Sequence, residues 1–343
     1  MNVVATYLRT LARAALDGWN RFWFTPADAA TLAVIRIAAG AMLFYTHFVW
    51  GLGYADFLAA DSLIPRETFD VFYGPDVRPY AFTHLWLVQS PAAFWTVHVA
   101  ALVVLAMFTV GLFTRVTSIL AWLITLSYVH RLPLVVFGTD QTNTMLAMYL
   151  MLGPAGDAYS LDRWIAGRRA GGRLPDAAPT TTANIAIRLI QLHMCIVYFF
   201  AGLGKLQGDS WWGGGALWGA VANYEYQTVD LTWLADYPVI IALLTQATAY
   251  WELFFCVLVW PRLLRPLVIF IALPLHWSIG ICMGLMTFGI IMPVGVYAFV
   301  PPDWTRRLVE GRQLPQEQGG AGEGSATIPA TTKKGNRGTR RAS

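Results

Sequence analysis

Long apolar runs recur along most of this chain and limit the folds that it can adopt. A backbone inside a bilayer must satisfy its hydrogen bonds within its own segment, and these runs lack the alternation of barrel strands, so we expect helices. With 56% hydrophobic and 13% charged residues among 343, the composition excludes an ordinary soluble globular protein. We predict an all-α polytopic membrane protein, a helical bundle of about eight transmembrane helices. The predicted spans cover residues 29–52, 92–113, 116–134, 144–154, 184–204, 238–260, 263–283 and 285–300.

The two ends of the chain differ from this central part. Residues 3–24 carry Arg9, Arg13, Asp17 and Arg21 at four-residue spacing, with mainly apolar residues around the rest of the helix. This pattern predicts an amphipathic helix that lies in the membrane interface. The last residues are rich in Gly, Thr, Lys and Arg and poor in large apolar side chains. We therefore divide the chain into an interfacial helix (1–28), a transmembrane domain (29–302) and a disordered basic cytoplasmic tail (303–343).

Positively charged residues are distributed unevenly between the two sides of the predicted bundle. One side holds most arginines and the basic tail, whereas the other holds Arg66, Arg78, Arg131 and Lys205. Because basic residues are retained on the cytoplasmic side, we expect a multi-pass protein of the cell membrane with both termini in the cytoplasm. These residues flank spans rather than cover a folded domain, so membrane lipids, and not nucleic acid, are the expected partners.

Residues 185–212 form a membrane-length apolar segment that ends in small residues, Lys205 and a pair of tryptophans. Lys205 is the only lysine before the C-terminal tail. A lone amine at the end of an apolar helix is either an anchor that reaches the membrane interface or a chemically tuned group. His193 precedes it by roughly 18 Å of helix and lies about a third of a turn away, so we do not expect the two to pair directly.

Few ionisable side chains lie inside the predicted spans, and each is costly in lipid unless it has a partner. Arg36 either extends towards the lipid headgroups or pairs with a buried carboxylate. Glu252 lies in mid-span, and we favour its pairing with a buried arginine such as Arg36 over a role as an acid or a proton relay. His276 follows Pro274, and backbone carbonyls or a neighbouring helix are its expected partners.

Several enzyme classes have no support in this sequence. There is no GxSxG, Walker loop, HExxH or CxxC motif, which argues against hydrolase, ATPase and nicotinamide chemistry. The three cysteines lie inside apolar runs without the spacing of metal ligands, so no metal is predicted.

Five segments, in order along residues 29–300, resemble the horizontally transferred transmembrane (HTTM) family. TLAVIRIAAGAMLFY, with Arg36, resembles the first helix of the family, and MLGPAGDAYSLDRW resembles a segment that ends in aromatic-Ser-x-Asp. VYFFAGLGKLQGDSWW resembles the YFxAGxxKL motif, with Lys205 at the lysine. AYWELFF places Glu252 where an acidic residue is expected, and LHWSIGICMGLMTFG resembles a late helix with a histidine at His276.

The family includes the vitamin K-dependent γ-glutamyl carboxylase, and the resemblance implies a carboxylase-like enzyme acting on a quinol-like or other lipophilic small molecule. Lys205 would be the base, and reduced vitamin K or another quinol would be the cofactor. We assign catalysis to Lys205 and His276. We assign substrate binding to Arg36, Tyr198, Gly202, Trp211, Trp212 and Glu252.

Other functions stay open at this point. The carboxylase has a histidine before its aromatic-Ser-x-Asp and two adjacent lysines, and both features are missing here, so a protein substrate is undecided. The alternative function is a membrane transporter or lipid-binding protein without catalysis, in which Arg36, Glu252 and His276 line a path. In a third interpretation Lys205 only anchors its helix at the interface.

Overall fold

The computed structural model describes residues 3–59, 61–88, 90–172 and 174–311, and fourteen α-helices lie within these ranges. No β-strand occurs in them, and one isolated bridge joins Ala27 to Thr180. The helices are α1 (Val3–Phe24), α2 (Ala30–Leu52), α3 (Arg66–Val77), α4 (Pro91–Val110), α5 (Thr114–Arg131), α6 (Gly138–Leu152), α7 (Leu161–Arg169), α8 (Thr181–Lys205), α9 (Asp209–Trp212), α10 (Ala216–Val221), α11 (Pro238–Leu258), α12 (Arg265–Cys282), α13 (Met286–Val296) and α14 (Pro302–Glu310).

The all-α polytopic fold is confirmed, but fewer helices than expected are long and apolar enough to cross a membrane. Among the described residues these are α2, α4, α8, α11 and α12, or six if the bent pair Met286–Phe299 and Pro302–Glu310 counts as one span. The other predicted spans are also helices, α5, α6 and α13. They are more polar or shorter, with 15 residues in α6 and 11 in α13. Pattern counting treats every helix as lipid-facing, whereas α6 and α13 are mostly buried or half-buried in the bundle and α5 faces outwards along Val116, Ile119 and Leu123.

Helix α6 begins earlier than predicted, because a polar side chain stabilises its start. The predicted span begins at residue 144, but the carboxylate of Asp140 accepts a hydrogen bond from the backbone N–H of Phe137 (3.1 Å). Its negative charge also complements the helix dipole. The helix therefore extends to Gly138 and carries polar residues into the bundle.

One end of the bundle, which we call the basic end, gathers α1, α7, α14 and the connection 153–180. Arg306 of α14 donates to the carboxylate of Asp28 (2.8 Å), and the hydroxyl of Tyr159 donates to Glu310 (2.9 Å). The side chain of Asn184 donates to the carbonyl of Phe22, which holds the last turn of α1 against α8. The predicted amphipathic helix is present as α1, and none of its residues is buried. Residues 303–310, which were expected to begin the disordered tail, are helical in α14, and the tail from 312 lies outside the described residues.

The opposite end, which we call the Lys205 end, is covered by short helical segments. They comprise the π-helix Tyr54–Leu58, α3, α9, α10 and a 3-10 turn at Thr232–Asp236. Arg131, at the end of α5, is buried and donates to the carbonyls of Ile64 (2.8 Å) and Ala59 (3.2 Å), which fixes the connection after α2. A hydrogen bond from Thr228 N to the Cys282 carbonyl (3.1 Å) joins the aromatic connection 213–237 to the end of α12.

Candidate functional site

A cavity of about 280 Å³ lies between α6, α8, α11, α12 and α13, in the half of the bundle nearer to the Lys205 end. Its wall is mostly apolar, with a few polar groups that converge on it. Such a combination is typical of small-molecule sites, which usually have volumes of roughly 300–1,000 Å³. The lining residues are Gly138, Gln141, Thr142, Met145, His193, Val197, Tyr198, Ala201, Lys205, Glu252, His276, Ile279, Phe288 and Met292.

Lys205 and Glu252 form an ion pair in the wall of this cavity. The Nζ atom of Lys205 lies 2.5 Å from Oε2 of Glu252, and the two side chains are 22% and 9% exposed. The ring of Trp211 lies beneath the amine, with its centroid 5.1 Å from Nζ. The expectation that Glu252 neutralises Arg36 is therefore wrong. Two mid-sequence segments 47 residues apart meet here because α8 and α11 pack side by side.

Gly202 allows this close packing of α8 and α11. A Cβ atom at this position would lie 2.5 Å from the backbone N of Leu253 and 2.8 Å from its Cα. Gly202 therefore faces the backbone of α11 and is not among the residues that line the cavity, although the sequence assigned it to substrate binding. Because Leu253 follows Glu252, this contact also sets the distance between the two charged groups.

His276 presents one ring nitrogen to the cavity in a defined state. Its Nδ1 lies 2.8 Å from the carbonyl oxygen of Ala272. A carbonyl can only accept, so Nδ1 carries the hydrogen, and Nε2 of the neutral ring is an acceptor. The hydroxyl of Tyr198, 3.3 Å from Nε2, is then the donor of that hydrogen bond. The expectation that a backbone carbonyl is the hydrogen-bond partner of His276 holds for Nδ1. The Nε2 atom is available to a ligand that competes with Tyr198.

His193 lies at the other end of the same cavity. Its Nδ1 is 3.0 Å from the hydroxyl of Tyr149 on α6. The prediction that His193 does not pair with Lys205 agrees with these partners. What the sequence did not indicate is that the two side chains line one cavity from different faces of α8.

Arg36 is far from this cavity and lies at the basic end. Its side chain is fully buried, and its guanidinium donates to the carbonyls of Ala155 (2.6 Å) and Tyr159 (2.6 Å). Arg36 therefore neither extends to the headgroups nor pairs with a buried carboxylate, which were the two expectations from the sequence. It binds the backbone of a loop instead. Gly111 makes room for it, since a Cβ there would lie 2.8 Å from Cζ of Arg36.

The remaining predicted residues are divided between the cavity and its surroundings. Tyr198 lines the cavity, whereas Trp211 contacts it only through the amine of Lys205. Trp212 points away, is largely exposed and donates from Nε1 to the carbonyl of Leu206 (2.6 Å). Sequence reasoning missed the contributions of α6 and α13, because ordinary Gln, Thr, Met and Phe residues carry no motif. Among the described residues no group of three His, Cys, Asp or Glu side chains could hold a metal ion.

Fold and cavity together define a polytopic helical membrane protein with an acid–base pair and a neutral imidazole around one small, mostly apolar chamber. The family model for the HTTM domain matches residues 24–304, which is most of the chain. This protein therefore belongs to the HTTM family. Comparisons with curated proteins and with solved structures found no significant match.

Proposed function

We propose that this HTTM protein is a carboxylase-like membrane enzyme that acts on a quinol-like or similar lipophilic substrate, with Lys205 as the base. The observation that carries the proposal is the Lys205–Glu252 pair in a mostly apolar cavity shared with His276. An anchor lysine would extend into water or headgroups. Lys205 instead turns towards a carboxylate on the neighbouring helix, in a chamber that a small ring can enter.

The pair can supply a neutral amine without losing a proton to solvent. One proton is shared between Nζ and Oε2, so the two groups are either both charged or both neutral. Burying two charges costs free energy, so the neutral form is favoured more in this cavity than it would be in water. In the neutral form the lone pair of Lys205 accepts the proton of a substrate hydroxyl, and the resulting ammonium is stabilised by Trp211. Glu252 keeps the shared proton during this step, so the charge of the new ammonium is balanced by the substrate anion.

His276 and Tyr198 are suited to orient the substrate. The Nε2 atom of His276 accepts a hydrogen bond from the hydroxyl of Tyr198. A second hydroxyl of a quinol-like ring can donate to the same nitrogen in place of Tyr198. The residues that surround a ring at this place are Met145, Phe288 and Met292, whose side chains are apolar and polarisable. Reduced vitamin K and other quinols have the two hydroxyls and the flat apolar ring that this arrangement fits.

Substitution of the base tests the proposal. In lipid nanodiscs, with dissolved molecular oxygen as the electron acceptor, we expect Lys205→Met and Lys205→Arg to lower the rate of quinol oxidation by about 10²–10⁴-fold, the contribution of a general base, because neither side chain can accept the proton. Glu252→Gln should also lower it, because the amine loses the carboxylate that takes up its proton, but by less, since the base itself is still present. Thermal unfolding shows whether each variant is folded. Full activity of folded Lys205→Met would refute the proposal.

The alternative of binding without catalysis has its own outcome. Mass spectrometry of the purified wild-type protein should detect a co-purified quinone or other lipophile. If a lipophile is retained, and reduced quinones are bound but never turned over, the chain is a lipid-binding protein.

We also propose that the protein resides in the cell membrane with its basic end in the cytoplasm. The proposal is supported by the arginines of α1, α7 and α14, which are gathered at one end of the bundle, whereas few basic residues lie at the Lys205 end.

A further inference from the structure

The cavity at Lys205 extends well beyond the groups that the proposed reaction uses. On α8 it is lined by His193, Val197, Ala201 and Lys205, which span three turns and roughly 18 Å of helix. A volume of about 280 Å³ distributed over this length leaves a narrow passage. Such a passage suits one linear chain and excludes a two-tailed lipid.

The inner end of this passage reaches the lipid-facing side of α8. His193 shares a helical face with Ile196 and Phe200, at spacings of three and seven residues. These two side chains are 54% and 62% exposed. His193 is also the central residue of α8, at a depth where an exposed apolar face meets lipid. Along α8 the lining residues therefore begin next to the lipid-facing side of the helix at His193 and end on its interior side at Lys205.

A polar contact between α6 and α8 closes the inner end. The hydroxyl of Tyr149 and Nδ1 of His193 are 3.0 Å apart, and both side chains are partly exposed. Polar groups at this depth are costly in lipid, so such a pair usually has a function. It lies three turns from Lys205, too far for direct proton transfer in the proposed reaction.

We infer that Tyr149 and His193 form a lateral gate between α6 and α8, through which a lipophile with one polar ring and one linear apolar chain enters from the bilayer. The ring then lies at Lys205 and the chain lies along α8, past Val197 and Met145. The identity of the ring rests on the proposed function. The single chain rests on the shape of the cavity, and the entry route rests on the exposed face of α8 and the Tyr149–His193 contact.

Photolabelling in nanodiscs tests the gate. The first probe is a naphthoquinone whose isoprenoid chain carries a diazirine, and its photolabelling is measured. The second probe is the same ring without a chain, and equilibrium binding of its tritiated form is measured. We expect Val197→Trp to fill the passage and to lower labelling by the chain-bearing probe at least about tenfold, while binding of the bare ring changes little. Val257→Trp on α11 is the matched control, because Val257 is 62% exposed and does not line the cavity, and it should label like the wild type.

A second variant does not depend on a large side chain. Tyr149→Phe removes the hydrogen bond between α6 and α8, and we expect it to raise the initial rate of labelling from the bilayer by about two- to fivefold, the effect of losing about 0.5–1 kcal/mol. Equilibrium binding of the bare ring should be unaffected.

Several results would overturn the gate: no labelling of the wild type, unchanged labelling in Val197→Trp, or an equal loss for both probes. The outcomes also separate the gate from the reaction. Labelling that is blocked by Val197→Trp, in a protein that never oxidises quinol, would support the gate and refute the proposed function. Oxidation that is equally fast for chain-bearing quinols in the wild type and Val197→Trp would support the function and refute the gate.

Discussion

At the scale of single residues, Asp162 and Arg36 at the basic end are held mainly by backbone atoms. Asp162 is the clearest case, because its carboxylate accepts hydrogen bonds from the backbone N–H groups of Phe113 and Thr114 and from the Thr114 hydroxyl, each at 2.8 Å. It thereby caps the first turn of α5 from another segment of the chain. Partial burial raises the pKa of Asp162, but these hydrogen bonds outweigh it and hold the pKa below its usual range.

This contact gives a pH dependence with a definite sign. Because the folded pKa is lower than the unfolded value of about 3.9, Asp162 stabilises the protein above that pH, and the stabilisation is lost as the pH falls towards the folded value. We expect Asp162→Asn to lower the stability at pH 7 by about 1 kcal/mol, as for the loss of a helix cap. The difference between variant and wild type should shrink below pH 4.

Thermal unfolding in detergent between pH 3 and pH 7 measures this effect. Asp157→Asn, in the same connection, is the matched control and should follow the wild type. A constant difference between Asp162→Asn and the wild type across this range would contradict the assignment.

Arg36 is a residue whose need for a partner is clear from the sequence, whereas the partners themselves are not. Its position within an apolar run predicts that it needs a partner, and that expectation is correct. The partners are carbonyls of Ala155 and Tyr159, and any residue has a carbonyl, so no sequence pattern could identify them. Tyr159 even adopts a left-handed backbone (φ 45°), an unusual conformation for a side chain of this size.

At the scale of elements, the Lys205–Glu252 ion pair depends on how closely α8 and α11 approach. We expect Gly202→Ala to cost about 1–3 kcal/mol, as overpacking does, since its Cβ would meet the backbone of Leu253 and not a flexible side chain. Separation of the helices also lengthens the Lys205–Glu252 contact, so quinol oxidation should fall while the cavity still binds the ring.

Gly204→Ala is the matched control for this substitution. It lies two residues further along α8, and nothing lies within 4 Å of a Cβ placed there. Because alanine favours helix more than glycine does, Gly204→Ala should be neutral or stabilising by up to about 1 kcal/mol. Thermal unfolding and oxidation rates of the two variants decide the matter, and equal effects would exclude a specific role for the α8–α11 contact.

The sequence predicted the elements better than their pairing. Hydrophobic patterning located α2, α4, α8, α11 and α12 to within a few residues, since each is a long apolar run. The same patterning overestimated the spans that could cross a membrane alone, because it does not show which helices are enclosed by others. It also selected Lys205, Glu252 and His276 as unusual groups, but the pairing of Lys205 with Glu252 is a property of helix packing and has no local signal.

At the scale of the whole molecule, the segment that follows α1 and the C-terminal helix α14 meet at the basic end, where Arg306 joins them. Arg306 contacts Asp28, Asp176 and Glu310. Burial lowers the pKa of Arg306, but its hydrogen bonds to Asp28 and the charges of the surrounding carboxylates raise the pKa above its usual value, so this arginine stays charged. The network fixes α14 against the start of α2 and thereby places the N-terminal and C-terminal segments on one side.

This arrangement predicts the orientation of the whole protein in a cell. In a background where Cys195, Cys256 and Cys282 are replaced by alanine, single cysteines at Ala170, on the basic end, and at Tyr224, on the Lys205 end, lie at exposed positions. Retention of arginines on the cytoplasmic side predicts that a membrane-impermeant thiol reagent labels Tyr224→Cys on intact cells and Ala170→Cys only after permeabilisation. The reverse pattern would place Lys205 and Trp211 in the cytoplasm and contradict the proposed orientation. Each cysteine reports the side of the membrane on which its end of the bundle lies. Labelling of both cysteines on intact cells would therefore mean that the basic end and the Lys205 end do not lie on opposite sides of the membrane.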